Sequence, residues 1–149
     1  MSAATQSSTL ETIDTLNSFL RGELSAVETY NQAIAKMGDN PIAALAENMD
    51  CHQLRVEALR REIISLGGKP DETSGAWGAF TELVEGGAAL FGRTPALAAL
   101  EAGEDRGLAQ YRKDITKLTG SARLFIETEI ITAQHRTHDR MSRVKLLEK

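Results

Sequence analysis

Two glutamates placed on apolar helix faces constrain this chain more than any other feature. The stretch GELSAVETY at 22–30 is answered by GEDRGLAQY at 103–111, each a Gly-Glu pair with a Tyr seven residues after the Glu. Both lie in long patterns of helical period. At roughly 100° per residue, Glu23 points with Leu16, Leu20, Val27 and Ile34, and Glu104 with Leu97, Leu100, Leu108 and Ile115. A carboxylate aimed into a core costs several kcal/mol unless a partner compensates it. Any fold for this chain must bring such partners to both positions.

The 149 residues suit one domain with a real core. Ala, Leu, Glu and Arg are plentiful and aromatics few, which favours an all-α chain. A net charge of −4 without a basic stripe argues against nucleic acid as a partner. No run approaches the 18 or so apolar residues of a membrane span. The polar start, MSAATQSSTLE, has neither the basic nor the apolar part of a secretory signal, so residues 1–7 read as a polar tail. The single Cys51 has no disulfide partner and falls off the buried stripe. A cytoplasmic protein is expected.

Four long helices are predicted. The first begins near Ser8 or Thr9, with Glu11 completing a capping box, and runs to about Met37. Gly38-Asp39-Asn40-Pro41 is a tight link, with Asn40 as N-cap and Pro41 in the first turn of a second helix reaching Leu66. Gly67-Gly68-Lys69-Pro70 ends that helix. Residues 71–93 form a crossover with room for a short extra helix around 77–90. Thr94-Pro95 opens a third helix that runs to about Leu118, and the fourth starts near Ser121. Two antiparallel hairpins joined by a crossover make an up-down-down-up four-helix bundle.

His52 lies in the middle of the apolar face of the second helix, and His138 borders that of the fourth, with Glu127 and Gln134. A first turn centred near residue 39 sets Glu23 opposite about residue 56, a helical turn from His52. A turn near residue 119 sets Glu104 opposite about residue 135, within a turn of His138. Glu23, His52, Glu104 and His138 are thus candidate metal ligands, with Tyr30, Tyr111, Glu127 and Gln134 around them. Hard carboxylates with neutral imidazoles suit iron. The same residues also make plausible buried ion pairs, Glu23 with His52 and Glu104 with His138. Arg55, Arg60 and Arg61 read as a solvated face, and Trp77, Phe80 and Phe91 as a lid or an oligomer contact.

GELSAVETY resembles the first-helix motif of rubrerythrins, Gly-Glu-x-x-Ala-x-x-x-Tyr, whose Glu ligates iron. Over its whole length the chain resembles a bacterial branch of the ferritin-like superfamily without assigned function. The features that carry this are LNSFLRGELSAVETYNQA, His52-x-x-Arg55-x-x-x-Leu59-Arg60 before LGGKP, the GAWGAF crossover and ALEAGEDRGLAQY. The resemblance implies a ferritin-like fold with iron or oxidant handling. It is incomplete at the ligands. Di-iron bundles of this class carry Glu-x-x-His on two helices, and here Met49 and His135 stand three residues before His52 and His138.

Two functions follow as expectations. One is a ferritin-like protein binding iron, mononuclear or dinuclear, or another divalent metal, and acting in stress or oxidant defence. The alternative is a metal-free helical module that forms homo-oligomers, dimers above all, or binds a partner protein. DNA protection by a cage is disfavoured by the acidic balance, and whether there is any enzymatic activity stays open.

Overall fold

A computed structural model describes residues 2–75 and 93–148, and all regular structure among them is helical. Helix α1 spans Ala3–Met37, α2 spans Ala43–Ser65 and α3 spans Arg93–Asp114. A 3₁₀ turn, Ile115–Lys117, follows α3. Helix α4 has three segments: Gly120–Phe125, a π-helical turn at Ile126–Ile130, and Ile131–Leu147. The predicted crossover helix, with Trp77, Phe80 and Phe91, lies outside the described residues. No described helix is long and apolar enough to cross a membrane.

Some boundaries differ from expectation. Helix α1 starts about five residues early because Ser2, in extended backbone, caps it: the Thr5 amide donates to Ser2 Oγ at 3.2 Å. The first turns, expected as tail, are helical and exposed. Gly38 closes α1 at φ +59°, a conformation that glycine adopts without a Cβ penalty. Ile42, not Asn40, occupies the N-cap of α2, and no side chain caps that end.

Side-chain contacts fix how the helices run. Along α1, Asn17 donates to the Lys69 carbonyl, Glu23 meets His52, and Tyr30 meets Asn48, so α2 is antiparallel to it. Tyr111 reaches Glu23 and Glu104 reaches Tyr30, so α3 is also antiparallel to α1. Glu101 binds Lys145 and Glu104 binds Thr137, which makes α4 antiparallel to α3.

The core is split into two apolar clusters with a polar layer between them. One gathers Leu16, Phe19, Leu20, Leu59, Ile63 and Ile126. The other gathers Ala33, Met37, Leu45, Leu97, Leu100 and Met141. Between them lie Glu23, His52, Arg55, Glu104, Gln134 and Thr137, none more than 3 % exposed. These side chains are buried between the two apolar clusters, so each polar group in the layer needs a hydrogen-bond partner.

Candidate functional site

His52 stands at the centre of the polar layer. Its Nδ1 lies 2.5 Å from Glu23 Oε2 and its Nε2 lies 2.8 Å from Glu104 Oε2. Each carboxylate also accepts from a tyrosine: Tyr111 donates to Glu23 Oε1 at 2.5 Å and Tyr30 to Glu104 Oε2 at 2.7 Å. The result is a chain, Tyr111–Glu23–His52–Glu104–Tyr30, with His52 at its middle. The repeated Gly-Glu…Tyr skeleton builds it reciprocally, because the Tyr of each copy serves the Glu of the other. Gly22 and Gly103, which precede the two glutamates, both line a cavity of about 40 Å³ between α1 and α3.

Arg55 completes the layer, one helical turn after His52. Its Nη1 donates to Glu23 Oε1 at 3.2 Å and to Gln134 Oε1, and its Nη2 donates to Thr137 Oγ1 at 2.9 Å and to Cys51 Sγ at 3.8 Å. Nε reaches the Cys51 carbonyl at 3.5 Å. All five N–H groups of the fork point at an acceptor. Arg55 is 3 % exposed, so its expected place on a solvated face is corrected. The spacing signal was present: 52, 55, 56, 59 and 63 form one helical stripe, and only the residue type argued otherwise.

Glu104 is held by four donors. Besides His52 and Tyr30, Gln134 Nε2 donates to Oε1 at 3.0 Å and Thr137 Oγ1 at 2.8 Å. Asn48 donates to Tyr30 Oη and to the Thr137 carbonyl, both at 3.0 Å, and accepts from Arg140 at 2.8 Å. At Gly107 of α3 a Cβ would stand 3.0 Å from Gln134 Nε2, so a larger residue there would push Gln134 by a few tenths of an ångström. Asn48 and Thr137, like Arg55, carry no ligand motif, and only their phase on the buried stripe marks them.

The charges follow from these contacts. Burial raises the Glu104 carboxyl, but His52, Tyr30 and Arg55 outweigh it and hold the group down to about 2. Glu23 behaves alike: burial raises it, and Arg55, His52 and Tyr111 together bring it below 4.5. Burial and Arg55 push His52 towards the neutral form, yet the two carboxylates prevail and raise it above 6.5. Both carboxylates are ionised and both ring nitrogens donate, so His52 is an imidazolium. Two buried anions face two buried cations, His52 and Arg55, and the layer is neutral.

His138, expected among the ligands, does not join it. One residue beyond the inward Thr137, it turns out to the surface and binds Asp105 at 2.5 Å. Its expected pairing with Glu104 is taken by His52. Glu127 is exposed and pairs with Arg123 at 2.7 Å, away from the layer. Glu23, His52 and Glu104 do come together, with Tyr30, Tyr111 and Gln134 as their direct partners.

An iron centre does not fit this donor set. Di-iron bundles carry Glu-x-x-His on two helices, and here Met49 and His135 stand three residues before His52 and His138, while the inward i, i+3 pairs of the layer are His52 with Arg55 and Gln134 with Thr137. His52 has no lone pair free, and a guanidinium sits against Glu23. Among the described residues no group of three or more His, Cys, Asp or Glu is placed to hold a metal ion.

The tyrosines give a direct test of the network. Tyr30→Phe and Tyr111→Phe each remove one donor to a buried carboxylate, and each is expected to cost about 1.5–3 kcal/mol in urea unfolding. Losses within a few tenths of a kcal/mol of zero would mean that the hydroxyls do not serve the carboxylates.

No curated protein and no solved structure matches this chain significantly. Residues 11–117, most of its length, match the domain of unknown function DUF2383, and the chain belongs to that family.

Proposed function

We propose that this chain is a ferritin-like bundle of up-down-down-up topology that works without a metal and acts through its surface as a helical interaction module. One observation carries the reading: a buried guanidinium, Arg55, stands 3.2 Å from the carboxylate of Glu23, one of the residues expected to hold a metal. With His52 as the second cation, the two core glutamates are neutralised by side chains alone. A divalent ion would bring two excess charges into a layer that is already balanced, and burying unpaired charge is strongly unfavourable.

A surface role also suits the exposed apolar side chains. Leu10, Ile64 and Leu124, each 62 % exposed, lie on elements that meet at one end of the bundle, near the start of α1 and α4 and the close of α2. Self-association as a dimer through this end is the simplest use of them.

The test is metal content of protein purified without chelators, repeated after anaerobic Fe(II) loading, with molar mass measured by light scattering in the same samples. Below a tenth of an equivalent of metal and a mass of twice the chain support the proposal. Stoichiometric iron in the unaltered protein would overturn it and return oxidant chemistry to first place.

A further inference from the structure

The head of Arg55 rests in a cradle supplied by two other helices. Glu23 Oε1 comes from α1, while Gln134 Oε1 and Thr137 Oγ1 come from α4. Those two α4 side chains also bind Glu104 Oε1, so a second carboxylate borders the same spot. Apart from Cys51 Sγ, the atoms facing the guanidinium are oxygens: a carboxylate, an amide carbonyl and a hydroxyl, with the Cys51 carbonyl at the stem. Oxygens of this kind are what hard divalent cations select. The cradle is fixed by its own hydrogen bonds to Glu104, so it does not depend on Arg55 alone for its shape.

We propose that Arg55 is the residue that decides against metal in this bundle: its head fills a cation slot lined by Glu23, Gln134 and Thr137, and removing that head opens the slot to an oxygen-preferring divalent ion of the Mn²⁺ class. The inference rests on the metal-free reading above and extends it to a single determinant. Removing the guanidinium leaves Glu23 Oε1, Gln134 Oε1 and Thr137 Oγ1 without the cation they now face, and two carboxylates, Glu23 and Glu104, border the vacated spot. Arg55→Met suits the test, because its stem replaces the aliphatic part of Arg55 and leaves the head of the fork vacant. Arg55→Lys keeps a cation there.

The experiment titrates Mn²⁺ into wild type, Arg55→Met, Arg55→Lys and Glu23→Gln/Arg55→Met, following bound ion by electron paramagnetic resonance and helicity by circular dichroism. Expected is one Mn²⁺ per chain in Arg55→Met, at least tenfold weaker binding in the other three, and a rise in the thermal midpoint of Arg55→Met alone. If Arg55→Met is unfolded without metal, Mn²⁺ is expected to restore its helicity, since an ion that binds only the native state drives folding. An Arg55→Met protein that neither binds Mn²⁺ nor gains helicity from it overturns this inference and leaves the metal-free reading standing. Binding to wild type as tight as to Arg55→Met overturns both.

Discussion

Arg55→Met, in the absence of added metal, is expected to lower the unfolding free energy by about 3–5 kcal/mol, the usual cost of stripping one partner from a buried ion pair. For a chain of this size that is a fall of roughly 10 °C or more in the thermal midpoint. Packing along the stem is kept, because the Met side chain replaces the aliphatic part of Arg55. The loss arises from what remains: Glu23 keeps His52 and Tyr111 but no longer faces a guanidinium, and Gln134 Oε1 loses its donor. The double variant Glu23→Gln/Arg55→Met is therefore expected to be more stable than Arg55→Met alone. Its layer is again neutral, with Glu104 facing His52. Urea unfolding of the two single variants and the double measures this coupling. Losses that simply add would show that Arg55 does not act through Glu23.

The network also shows where a sequence stops being legible. The tight link at 38–41 follows from its Gly, Asn and Pro, and the helices and the inward direction of Glu23, Glu104 and His52 follow from apolar spacing, a property of one helix at a time. Gln134 was visible in the same way, on the border of the α4 stripe. What spacing does not carry is which partner a buried polar group finds on another helix. Helix spacing pairs Glu104 with His138, yet it binds His52, and Thr137, not His138, takes the inward position on α4. Arg55 is on the stripe by number, but an arginine is rarely buried unless it is paired. Its pairing depends on Glu23, Gln134 and Thr137 arriving from two other helices. The π turn at Ile126–Ile130 lacks any Pro or Gly signal, and its position sets the phase at which α4 presents these residues.

Stability is expected to form a plateau between about pH 4.5 and 6.5 and to fall on both sides, for opposite reasons. On the acid side the unfolded carboxyls take up protons first. Glu104 moves from about 2 when folded to 4.5 when unfolded, so its contribution is complete above 4.5 and is lost as pH drops towards 2. That difference amounts to about 3 kcal/mol, and Glu23, lowered in the same direction, adds to it. On the alkaline side the folded protein holds the extra proton. His52 is raised above 6.5, so its contribution is complete below 6.5 and is lost as pH rises through its folded value. Urea unfolding at intervals from pH 2 to 10 gives both limbs. Glu104→Gln separates this origin from the exposed ion pairs, because one carboxylate supports both limbs. Without it the acid limb loses one of its two buried contributors, and His52 loses one of the two anions that keep it charged. Both limbs are expected to flatten together in that variant. An acid limb that flattens while the alkaline limb keeps its full slope would mean that His52 is not charged through Glu104, and the neutral pairing of two anions with two cations would have to be redrawn.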